Sequence, residues 1–81
     1  MDFKICIWTS LGVVHQFVLK NHSESDMMSF RKYFATSNAI EFTHRETGHV
    51  TGFMRVNIVN YTFEQIQGGE DVRDQYDTGA Q

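Results

Sequence analysis

The sequence predicts a small α+β domain of order ββαββ, in which an antiparallel sheet carries one helix on one face. Three observations predict it. Residues 2–9 and 13–20 alternate with period two; Met27, Phe30 and Phe34 recur at spacings of three and four; and a tight turn at residues 45–49 joins two more alternating runs. The last of these runs is unusually long. From His49 to Ile66 a straight strand would extend ~55–60 Å, at about 3.3 Å per residue. A globule of this size has a radius of gyration of ~11 Å. The run must therefore bend, break or pair outside its own subunit.

In residues 2–9, Phe3, Ile5 and Ile7 take one face and Lys4, Cys6 and Trp8 the other. Thr9-Ser10-Leu11-Gly12 is a turn signal. In residues 13–20, Val13, His15, Phe17 and Leu19 oppose Val14, Gln16 and Val18, so both faces are partly apolar. Such a strand is either central or packed against a second subunit. Residues 21–26 carry helix-start chemistry: Ser23 or Ser25 as cap, with Glu24 and Asp26 at the positive end of the dipole. Met27, Phe30 and Phe34 form the buried stripe, Arg31 and Lys32 lie beside and behind it near the C-terminal end, and Asn38 is suited to a left-handed cap.

The turn after His44 reads as a three-residue loop, Glu46-Thr47-Gly48, with glycine where φ > 0 is needed. That register sets His44 opposite Val50, Phe42 opposite Gly52 and Ile40 opposite Met54. It places Val50, Met54, Val56 and Ile58 in the core, and Glu41, Phe53, Arg55 and Asn57 on the exposed face. After Ile58 the apolar set changes phase to Val59, Tyr61 and Phe63. The slip predicts a β-bulge near Ile58-Val59, or a strand that crosses from one sheet surface to another. The expected core is Phe3, Ile5, Ile7, Phe17, Leu19, Met27, Phe30, Phe34, Ile40, Phe42, Val50, Met54, Val56 and Ile58.

Eighty-one residues, 41% of them hydrophobic and none of them proline, predict one folded domain over residues 1–66. Residues 67–81 open on Gly68-Gly69 and set Glu70, Asp71, Asp74 and Asp77 against Arg73, which accounts for the net charge of −3. That composition predicts a disordered acidic tail. A neutral body is a poor nucleic-acid binder by electrostatics alone. The single Cys6 excludes an intramolecular disulfide framework and a cysteine zinc site. No run approaches the ~20 apolar residues of a helical membrane span. No secretory cleavage pattern follows Met1, so the expected location is cytoplasmic, in the cell or in a host.

His15, His22, His44 and His49 show neither HExxH nor a helical i, i+4 pairing, so no metal and no cofactor is expected. Cys6 lies mid-strand with no adjacent base, and no serine sits in a G-x-S-x-G elbow, so no enzyme activity is expected. What the sequence does offer is adhesive surface. Trp8, Phe53 and Arg55 on an uncovered sheet face, with Val59, Tyr61 and Phe63, predict the interface of a protein-binding module that forms a dimer or larger homo-oligomer. The alternative reading gives Arg45, His49, Phe53 and Arg55 to single-stranded or duplex nucleic acid, with Phe53 stacking on bases. In size and composition the chain resembles accessory proteins of phages and mobile elements, which implies inhibition of a host protein. Size and composition alone carry that resemblance.

Overall fold

The computed structural model describes residues 1–66 and 75–78, and in it the long run after His49 breaks. The elements are β1 (Asp2–Thr9), β2 (Val14–Leu19), α1 (Glu24–Thr36), β3 (Ala39–His44), β4 (Val50–Met54), β5 (Ile58–Ile66) and β6 (Tyr76–Thr78). A 3-10 turn, Arg55–Asn57, separates β4 from β5. The result is a small mixed α+β domain with two antiparallel three-stranded sheets, ordered β2-β1-β5 and β4-β3-β6, where the sequence predicts a single sheet. The crossover at Arg55–Asn57 carries the chain from the second sheet to the first. It also removes the length conflict, because the longest dimension of the molecule is 33 Å.

The predicted phase slip is a β-bulge. Trp8 pairs with Asn60 and Thr9 with Ile58, so Val59 is the extra residue on β5. Ile58 packs against the core, Val59 turns out, and Tyr61 and Phe63 then face α1. The core itself follows the alternation of β1 and the helical stripe. Phe3, Ile5, Ile7, Phe17, Leu19, Met27, Phe30, Phe34, Ile40 and Phe42 are all buried together. Phe17 of the first sheet stacks on Phe42 of the second at 4.0 Å, and Phe30 meets Phe42 at 5.9 Å and Phe63 at 5.7 Å. Aromatic contacts thus tie both sheets and the helix into one interior.

The second hairpin corrects the predicted register. Its loop has four residues, Arg45 to Gly48, because His44 N–H donates to the His49 carbonyl at 2.8 Å. The pairs become Thr43↔Val50, Phe42↔Thr51, Glu41↔Gly52 and Ile40↔Phe53. A slip of one residue exchanges the faces of β4. Phe53 is therefore buried, with 7% of its surface exposed, while Val50, Met54 and Val56 leave the expected core for solvent. The His44 ring selects the longer loop: its Nδ1 accepts the backbone N–H groups of Glu46 and Thr47. Gly48 takes φ +72°, and its N–H donates to the His44 carbonyl.

α1 begins in a capping box. The Ser23 hydroxyl accepts Asp26 N–H, and the Asp26 carboxylate accepts Ser23 N–H, which holds the Asp26 carboxyl below its ordinary range. The helix runs to Thr36, leaving Arg31 and Lys32 too early to serve its last turn. Arg55 takes that role from the crossover, donating to the Phe34 carbonyl. Asn38 is not left-handed; its carbonyl accepts Arg55 N–H at 2.8 Å. Of the acidic tail expected to be disordered, residues 67–74 and 79–81 lie outside the described residues. Gln75–Thr78 are described, and β6 pairs with Phe42–His44. Tyr76 anchors it, meeting Phe17 edge-on at 4.9 Å and His44 at 5.2 Å.

Candidate interaction surface

The crossover end of the molecule collects apolar side chains that no core position takes up. Thr9 N–H and its hydroxyl both reach the Val13 carbonyl, and Gly12 at φ +80° closes the turn. Ser10 N–H then donates to the Asn57 carbonyl at 2.8 Å, fastening this turn to the 3-10 crossover. Leu11 and Val13 come to lie beside Met54, across a groove of about 410 Å³ that Phe53 and His15 also line. The His15 ring stands edge-on to Phe53 at 5.0 Å. Leu11 is 88% exposed, Val56 87% and the bulged Val59 66%. Trp8, half-buried, pairs with Val14 and Asn60 on the outer face of the first sheet and extends the apolar surface there.

The predicted interface residues divide among this end, the side of β5 that faces α1, and the interior. Trp8 and Val59 belong to it. Tyr61 and Phe63 do not project from an uncovered face: the Tyr61 ring lies 4.3 Å from Phe34, and Phe63 meets Phe34 and Phe30 edge-on. Phe53 is core. Arg55 is fixed to the end of α1. The residues that sequence reasoning assigned elsewhere are Leu11, Val13, Met54 and Val56. The signal for Leu11 lies in the sequence itself, since a large aliphatic in a turn has no packing reason to be there.

The nucleic-acid set is dispersed in the same way. Arg45 donates from Nε to Asp77 Oδ1 at 2.9 Å, from Nη1 to Gln75 Oε1 at 3.2 Å and from Nη2 to the Lys20 carbonyl at 2.9 Å. Its guanidinium thus joins the end of β2 to β6 and is committed within the chain. His49 is exposed at the hairpin tip, away from buried Phe53.

A second, polar cavity of about 510 Å³ lies where Arg45 and Asp77 meet the start of α1. His22 borders it, only 6% exposed, with Nδ1 3.6 Å from Asp26 Oδ2 and Nε2 buried without a partner among the described residues. Asp26 serves the helix cap and Asp77 serves Arg45, so the carboxylates there are already engaged. Among the described residues no three histidine, cysteine or acidic side chains converge on a common point, and no helix is long and apolar enough to cross a membrane. No family model, curated protein or solved structure matches this chain.

Proposed function

We propose that this chain is a non-enzymatic interaction module that self-associates through its crossover end. The observation that carries the reading is the set of Leu11, Val13 and Met54, apolar and exposed along one groove, with Val56 and Val59 exposed on the adjoining crossover and bulge. Apolar patches rimmed by polar residues are where proteins meet proteins. A two-fold axis suits this one. Leu11 projects as a knob beside a groove lined by Val13, Phe53 and Met54, and an isologous contact seats the Leu11 of each copy in the groove of the other. Trp8 and Val14 then flank the contact, and Val59 brings the start of β5 into it.

Sedimentation velocity across micromolar concentrations tests this. The expected result is a dimer that Leu11→Arg and Val56→Arg each convert to monomer, with no loss of thermal stability because both side chains are exposed. A wild-type chain that stays monomeric over the whole range, or a dimer indifferent to both substitutions, overturns the reading. In either case the same end, tested against proteins of a host, becomes a surface for a different partner.

A further inference from the structure

β5 is an edge strand with a partially built neighbour site. It pairs with β1 on one side only among the described residues. Tyr61 N–H points away from β1, since it donates to the Asn60 side chain at 2.9 Å. By the period of the ladder, Phe63 and Gln65 present their N–H and C=O groups outward too. α1 overhangs this edge. Beyond the buried stripe it carries Met28, Arg31, Lys32 and Ala35, which with Tyr61 and Phe63 border a groove of about 350 Å³. The groove continues past Phe63 to Gln65 and Glu24 in a second stretch of about 400 Å³.

The charge of this groove is as informative as its shape. Arg31 stands 6.0 Å from the centre of the Phe63 ring, and neither Arg31 nor Lys32 has a carboxylate partner among the described residues. Met28, one turn before Lys32, is 71% exposed. A strand laid along β5 at the usual ~4.8 Å spacing runs beneath this helical stripe. Its inward side chains then meet a cationic and apolar wall.

We infer that the open edge of β5 and the Met28–Ala35 face of α1 form a slot for one added strand, an extended acidic peptide of another protein. Its backbone pairs with Phe63 and Gln65. Its carboxylates answer Arg31 and Lys32, and an apolar side chain between them packs on Met28 and Ala35. Glu24 at the far end disfavours acid opposite Gln65, so the negative residues fall beside Tyr61 and Phe63. Backbone pairing supplies affinity and the alternate pockets supply selection, as in strand addition generally. This surface goes beyond the self-association reading, since it uses neither Leu11 nor Val56.

A fluorescent peptide in which glutamate and valine alternate along one strand face with threonine between them (Glu-Thr-Val-Thr repeated), long enough to span β5, tests the slot by anisotropy titration of the full chain. The expected result is saturable binding that Arg31→Glu weakens by about tenfold, that a lysine–valine peptide of equal length does not reproduce, and that Val56→Arg leaves unchanged. Because strand addition needs the peptide's N–H groups, N-methylating alternate residues along the paired edge abolishes binding, and along the other edge does not. Amide exchange at Phe63 and Gln65 slows on binding. No binding of the glutamate–valine peptide, equal affinity for the lysine–valine peptide, or unchanged exchange at Phe63 and Gln65 each overturns the proposal. Competition by a single-stranded oligonucleotide of similar length also overturns it, and reassigns the groove to base stacking on Tyr61 and Phe63.

Discussion

The two sheets share a plan and differ in how they are held. Each has a central strand with a hairpin partner on one side and a later segment on the other. In the first sheet β1 is paired along its length by both β2 and β5, with Ile5 set between Phe17 and Phe63. In the second sheet, among the described residues, β6 covers β3 only from Phe42 to His44. The rest of that edge is served by a side chain. The Tyr33 hydroxyl accepts Glu41 N–H at 3.3 Å and donates to the Ala39 carbonyl at 3.4 Å, standing in for a strand. Arg45 then holds β6 in place and ties it to the end of β2. Long apolar ladders stabilise the first sheet, and single polar tethers complete the second.

The strongest way to break this comparison is Phe42→Ala. Phe42 is fully buried and stacked on Phe17, and its loss is expected to cost ~3–5 kcal/mol in chemical denaturation. If the aromatic interior makes the sheets one cooperative unit, amides of β1 and β3 lose exchange protection together. Loss confined to β3 and β4 would make the sheets separate units.

Paired charge substitutions sharpen the contrast at the next scale. Arg45→Ala removes three hydrogen bonds from a partly exposed guanidinium, and ~1–2 kcal/mol is expected, with faster exchange at Thr43 and Arg45, whose backbones face β6. Arg45→Lys should not restore it, because one ammonium cannot serve three acceptors spread over two strands. Lys4→Ala in the first sheet breaks a looser surface pair with Glu64, at 3.9 Å, and should stay within ~0.5 kcal/mol. Equal effects from Arg45→Ala and Lys4→Ala would erase the distinction between the sheets. Tyr33→Phe falls between these two, with ~0.5–1.5 kcal/mol expected and faster exchange at the Glu41 amide.

The same contrast explains what was legible in the sequence. Phe3, Ile5 and Ile7, and Met27, Phe30 and Phe34, repeat a period over several residues, and every one of them is buried. The phase change at Ile58-Val59 carried enough pattern to predict a bulge at the right residue. The second hairpin turned on one residue of loop length, and the His44 ring that decides it leaves no period to read. That single residue moved Phe53 inward and Met54 outward, and so took Phe53 out of the predicted interface. β6 is too short for any alternation to show, and its anchor Tyr76 sits in a segment whose composition reads as acidic and apolar-poor. Arg45 and Arg55 looked like surface cations, because the carbonyls they serve, those of Lys20 and Phe34, are distant in sequence.

The position of β1 at the centre of the first sheet has a consequence for the order in which the molecule is made. One of its edges finds β2 almost at once, through the turn after Thr9. The other waits for β5, whose last residue is Ile66. At ~5–20 residues per second of synthesis, that edge stays unsatisfied for roughly 3–10 s on the nascent chain. Throughout that interval Phe3, Ile5 and Ile7 lack the β5 strand that completes their sheet. The young hairpin is therefore most exposed to wrong partners before the second half of the chain exists, and the fold is completed by its latest segments.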